Sequence, residues 1–170
     1  MANSHPAQKR GRRPRAISEY GKQLQEKQKL KSLYNLRERQ FRKYIEEAEN
    51  AKELILALES RLDNVVFRLG LAISREQARQ LVSHSHFLVN GKPINAPAYR
   101  LKKGDIVQPK EKSFKKSIFQ NLIPVLKKQK PPSWLTLDAE NFQGKIVGEP
   151  TLEESSVPVA IPVIFEYYSR

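Results

Sequence analysis

Apolar residues recur every three or four positions from Tyr20 to Val82, and beyond that point the pattern changes to short β-rich runs around Asn90-Gly91. The first spacing puts apolar side chains on one helical face; the second suits strands joined by a tight turn. Such a chain is expected to be α+β, helical at its start. Tyr20, Leu24, Leu30 and Leu33, then Leu36, Phe41, Tyr44, Ile45 and Ala48, predict two amphipathic helices. Leu54, Ile55, Leu58, Leu62, Val65, Val66 and Leu69 prolong the spacing as one core-facing helix until Gly70, a natural helix stop. Ser74-Arg75-Glu76-Gln77 has the form of a capping box, with Ala78, Leu81 and Val82 as the buried stripe of a further short helix.

Phe87-Leu88-Val89 and Lys92-Pro93-Ile94 flank Asn90-Gly91 as a hairpin, and Lys103-Gly104-Asp105 marks a second turn before Ile106-Val107. Residues 113–130 are basic and weakly helical, with Pro124 expected to end or kink the run. Trp134–Leu137 and Lys145–Val147 are expected to pair as strands. Val157–Tyr168, β-branched and aromatic but holding Pro158 and Pro162, is expected to be an edge strand or extended tail.

Charge narrows the partner. The 170 residues carry 31 Lys+Arg against 18 Asp+Glu, a formal charge of +13, which favours a polyanion through long-range attraction and counterion release. The excess is uneven: residues 1–50 hold 13 basic and 6 acidic groups, residues 113–170 only 7 and 6. Lys9, Arg10, Arg12, Arg13 and Arg15 sit among Gly11, Pro6 and Pro14, a stretch with almost nothing to bury. It reads as an extended arm that lays guanidinium groups on phosphates, or as a merely disordered tail. Lys27, Lys29, Lys31, Arg37, Arg39, Arg42 and Lys43 interleave the next apolar stripes and favour RNA contact over a plain solvated face. The absence of cysteine excludes disulfides, thiolate nucleophiles and cysteine-ligated zinc. With no long apolar run and no secretory profile, a soluble cytoplasmic protein is expected.

Arg61–Gly70, followed by Ser74–His84 and then Val89-Asn90-Gly91, resembles the S-four RNA-binding domain. Ser18–Lys29, Glu38–Tyr44, Pro132–Leu135 and the closing Phe165–Arg170 resemble bacterial-type ribosomal protein S-four, so the similarity extends over roughly residues 10–170. It implies a mostly helical module, residues 18–60 completed by the chain end 150–170. Into this is inserted an S-four-type module of helices and a small antiparallel sheet, residues 61–149 with core motif 61–108; a basic arm, 1–17, precedes both. It also implies a structural constituent of the small ribosomal subunit. Such a protein binds small-subunit rRNA early, nucleates assembly of the subunit body, lies beside ribosomal protein S-five near the path by which mRNA enters, and contributes to translational accuracy. The zinc-binding cysteine cluster of some longer members has no counterpart here, so neither metal nor cofactor is expected. Residues 48–52 look shortened, and Val157–Pro162 matches the family poorly.

Arg75 and Arg79, four apart on one helical face, are expected to reach the same RNA backbone. The resemblance adds His84, Asn90 and Lys92 near that surface, although Asn90 is equally well explained by its turn. In the helical module the resemblance marks Arg37, Arg39, Arg42 and Lys43, with Arg42 the strongest candidate. Lys27, Arg61 and the arm arginines Arg10, Arg12, Arg13 and Arg15 complete the expected RNA-binding set. Tyr20 and Tyr44 could stack on bases but suit a core stripe better, as does Trp134. Asp63, two residues from Arg61 and so off its helical face, reads as a local cap or ion-pair partner. His84 and His86 lack a third ligand for a metal.

An enzyme would need a phosphate-cradling glycine loop, a metal cluster or a nucleophile with its base, and none is recognisable. A free RNA-binding factor would not need the long N-terminal helices. A membrane-surface protein would need exposed apolar area that Arg37–Lys43 lacks.

Overall fold

The computed structural model describes residues 17–114, 119, 121–126 and 128–169; Arg10, Arg12, Arg13 and Arg15 lie outside them. Helix α1, Glu19–Leu33, starts where the Ser18 hydroxyl accepts the Gly21 amide. It ends at Asn35, whose φ of 50° lets Leu36 N–H reach the Lys31 carbonyl and its own N–H reach Ser32. This left-handed cap closes the helix and turns the chain into α2, Glu38–Glu47. Helix α3, Ala51–Glu59, begins at Asn50, which accepts the Glu53 amide.

The single helix expected up to Gly70 is in fact two. Arg61 is extended and bridges to Arg100 as an isolated antiparallel pair, so α4, Leu62–Arg68, starts afresh. Its first free amides, Leu62 and Asp63, donate to the carbonyls of Tyr99 and Pro97. Periodicity did not show this break because apolar spacing continues across it, while the hydrogen bonds that interrupt it come from a segment far along the chain. Gly70, at φ 78°, closes α4 with the same paired cap seen after α1, Gly70 to Phe67 and Leu71 to Val66. Helix α5, Arg75–Ser83, is capped by Ser74 accepting from Gln77; the Gln77 side chain in return accepts the Ile73 amide.

Strands β1, Phe87–Val89, and β2, Lys92–Pro93, form the expected hairpin, with Asn90 at φ 50° and Gly91 at φ 77°. Strand β3, Ile106–Pro109, pairs with β1. After helical turns α6, Glu111–Phe114, and α7, Ile123–Leu126, come β4, Leu135–Asp138, and β5, Gln143–Ile146. The helical run is interrupted by a turn at residues 121–122, and Pro124 lies in the first turn of α7, where its missing N–H costs nothing. The expected β4–β5 pair joins the first hairpin in one antiparallel sheet of order β2-β1-β3-β5-β4.

The chain end also departs from expectation. A short turn α8, Leu152–Ser155, leads to helix α9, Ile161–Tyr168, rather than to an edge strand. Pro162 sits in the first helical turn, and Ile161, Ile164, Phe165 and Tyr168 fall at helical spacing against α1 and α2. Burial of that stripe outweighs the β propensity of its residues. Two cores result. One gathers Leu30, Phe41, Ile45, Leu54, Leu58 and Ile164; the other packs α4 and α5 on the sheet through Val66, Leu69, Val82, Phe87, Val107 and Ile146. Gly144 of β5 lets Leu69 approach so closely that a Cβ there would lie 2.2 Å from its Cδ1.

Candidate nucleic-acid interface

Helix α2 turns Phe41, Tyr44 and Ile45 inward and leaves Arg39, Arg42, Lys43 and Glu46 on its outer face. Arg37 and Arg39 are exposed and have no side-chain partner among the described residues. Arg42 reaches Glu46 at 2.9 Å and Lys43 reaches Glu47 at 3.6 Å. Ion pairs this exposed contribute little, so a phosphate can displace either carboxylate at small cost.

Both ends of this face meet the second core's residues. Arg79 of α5 donates from Nη1 to the Asn35 carbonyl at 2.8 Å, two residues before Arg37. Further along, Arg100 donates to Glu47 at 2.7 Å. Arg75 donates from Nε to Asn64 Oδ1 at 2.8 Å, with its guanidinium 4.6 Å from the Phe67 ring centroid and 4.9 Å from that of Tyr34. Arg75 and Arg79 therefore do not stand side by side over solvent; both lean toward the α1–α2 turn. Among the described residues the two terminal nitrogens of Arg75 have no hydrogen-bond partner, so this stacked group still presents both NH2 groups as donors.

Beneath this surface lies a buried polar cluster. Glu59, fully buried, accepts from Tyr34 Oη at 2.5 Å, from Asn64 Nδ2 at 2.7 Å and from Arg68 Nε and Nη2 at 3.0 and 2.7 Å. Arg68 Nη2 also donates to the Ser155 carbonyl at 2.9 Å. Burial, together with the Glu59 charge, pushes the Tyr34 hydroxyl well above its usual range, so it stays a donor. Four donors on one carboxylate offset its desolvation and tie α1, α3, α4 and the chain end together.

Two expected contacts are overturned by burial, and a third candidate, the exposed Asn90, is bonded internally. Lys27, 5% exposed, donates to Glu38 at 2.6 Å and lies 4.6 and 5.4 Å from the ring centroids of Tyr167 and Tyr168. It is a core ion enclosed by α9, not a surface cation. Arg61, 1% exposed, forks onto Asp63 at 2.9 and 2.6 Å and donates to Tyr44 Oη at 2.8 Å. The pair forms although the two stand only two positions apart, because Arg61 is the extended residue before α4 rather than part of it. Asn90 spends both ends of its amide internally, on Asp105 and on the Ile106 amide, so its turn role accounts for it. Of the remaining candidates, His84 is exposed with its ring 6.3 Å from that of His86, which bonds Ser113 Oγ at 2.8 Å. Lys92 is exposed at the hairpin tip.

Sequence reasoning missed Arg100, Glu59 and Asn64. Arg100 lies in no motif and is paired 53 positions away, so no local signal marks it. Glu59 ends an apolar helix with an acid on a buried face, which was a readable anomaly. Among the described residues no group of three metal-ligating side chains converges.

The chain is similar to known proteins along nearly its whole length. Residues 60–107 match the family described as S4 domain, and residues 2–63 match the Ribosomal protein S4/S9 N-terminal domain. A protein of Caldicellulosiruptor saccharolyticus described as small ribosomal subunit protein uS4 is 46% identical over 171 residues, covering 98% of this chain and 82% of its own. Proteins of the same description from a Sulfurihydrogenibium species and from Dictyoglomus thermophilum are 49% and 47% identical. They cover 90% and 94% of this chain, and 78% and 79% of their own.

Proposed function

The chain belongs to the uS4 family of small ribosomal subunit proteins, and on that premise we propose that it binds small-subunit rRNA through the outer face of α2 and the S4-domain residues flanking it. It is a structural ribosomal constituent rather than an enzyme, working in the cytoplasm as part of the subunit. One observation carries the site assignment: Arg37 and Arg39 have no side-chain partner among the described residues and lie on a face joined at one end to Arg79 and at the other to Arg100. Cations from two rigid cores thereby follow one surface, which suits several RNA segments held in register. Arg42, Lys43, Arg75, His84 and Lys92 extend the set, and the arm arginines add sequence-independent phosphate neutralisation.

The division into a helical module, 18–60 with 150–170, and an S4-type module, 61–149, is part of this reading. Two separate apolar cores support it. The resemblance supports the finer reading: early rRNA binding that nucleates the subunit body, a neighbour in ribosomal protein S-five, proximity to mRNA and an effect on accuracy.

The test is binding of the purified full chain to small-subunit rRNA fragments across a salt series, against a structured competitor of equal length. One rRNA region should win strongly, and Arg39→Ala should reduce the salt slope by about one. Equal competition by all RNAs would leave only a general basic RNA-binding protein.

A further inference from the structure

A cleft of about 450 Å³ opens where α2 meets the segment before Leu101, lined by Gln40, Lys43, Tyr44, Glu47, Ala98 and Arg100 with Arg61 at its base. Its size falls within the roughly 300–1,000 Å³ typical of small-ligand sites. Gln40, Lys43, Tyr44 and Glu47 form one stripe of α2 at helical spacing, so a single helix face supplies one wall and the S4 domain the other. Arg100 and Arg61 lie at 5.6 and 5.7 Å from the Tyr44 ring centroid. The buried Arg61 is neutralised by Asp63, leaving Lys43 and Arg100 as the cations at the mouth, both turned onto the half-exposed Glu47. The Gln40 Oε1 is shielded and has no hydrogen-bond partner among the described residues, an unusual condition for an amide oxygen inside a protein.

We propose that this cleft receives one unstacked nucleotide of the bound RNA, with its phosphate taken by Lys43 and Arg100 and its base edge met by the Gln40 amide. This rests on the RNA-binding reading above and deepens it from a charged surface to a single-nucleotide pocket. The chemistry matches each part. A planar guanidinium offers both a stacking face and paired donors to phosphate. Because the Gln40 Oε1 is closed off, its amide meets an acceptor on the base edge through the Nε2 donors. Glu47 holds the two cations at the mouth until a phosphate replaces it, so the pocket stays ordered without RNA. Tyr44 Oη accepts from Arg61 and keeps its own proton to donate into the cleft.

The test uses the full chain on the small-subunit rRNA fragment it prefers, with 2′-hydroxyl acylation by 1-methyl-7-nitroisatoic anhydride as the readout. Ala98→Phe fills the cleft and Gln40→Leu removes the amide; neither changes charge. Both are expected to return one nucleotide to its free-RNA reactivity and to weaken binding roughly ten-fold; Gln40→Leu keeps the phosphate contacts and the salt slope, whereas Ala98→Phe lowers the slope because Lys43 and Arg100 lose that phosphate. Arg39→Ala, outside the cleft, should lower the slope while that nucleotide stays protected. Wild-type reactivity profiles and dissociation constants within about two-fold in both cleft variants would overturn the proposal alone. Failure of the unaltered chain to prefer any rRNA region would overturn the general reading and this one with it. Circular dichroism checks folding, and if Ala98→Phe unfolds, Gln40→Leu carries the decision.

Discussion

Glu59 and Arg68 meet through two hydrogen bonds, 3.0 and 2.7 Å, although they stand on different helices, with the helix interrupted at Ser60-Arg61 between them. Their pairing sets how α3 leaves and α4 departs, and Tyr34 and Asn64 share the same carboxylate. Replacing Glu59 by alanine strands a half-buried guanidinium and a buried phenol. The expected loss is about 3–5 kcal/mol, read from urea unfolding; a loss below about 1 kcal/mol would show that the cluster does not hold the cores together.

Arg61 and Arg39 separate structure from binding. Arg61→Ala should lower stability by about 3 kcal/mol, because Asp63 and Tyr44 Oη lose a buried partner. At a temperature where the variant is folded, its salt slope for rRNA should equal that of the unaltered chain. Arg39→Ala should do the reverse, with stability within about 0.5 kcal/mol and a shallower slope.

Acid sensitivity should trace partly to Glu38. Its partial burial would raise its carboxyl, but hydrogen bonds from Lys27, Lys31 and Tyr168 outweigh this and pull it from 4.5 to about 2. A depressed folded pKa contributes stability that is fully present above about pH 4.5 and is lost as pH falls toward 2. Unfolding temperatures measured between those values should fall less steeply for Glu38→Gln than for the unaltered chain. Parallel curves would count against the contribution.

Gly144→Ala should destabilise by about 1–3 kcal/mol, since the new methyl must displace the fully buried Leu69 side chain. Pairing Gly144→Ala with Leu69→Val should restore part of that loss in thermal unfolding. Equal losses in single and double variants would place the strain elsewhere.

The features that follow from the residues alone are local. Ser18, Asn50 and Ser74 cap helices, Gly70 stops one, and Asn90-Gly91 turns a hairpin, because each effect acts over a few residues of backbone. The cationic excess that points to RNA is likewise a property of composition. Which cations face outward depends instead on contacts between distant segments. Lys27 and Arg61 looked no different from Arg39 in the sequence, yet Tyr167 closes over one and Asp63 with Tyr44 encloses the other. Desolvation depends on what the rest of the chain brings near a side chain, and those partners stand up to 141 positions away for Lys27. The same holds for the tail: Pro162 and its β-branched neighbours become helix only because α1 and α2 offer a surface for Ile161 and Ile164 to bury.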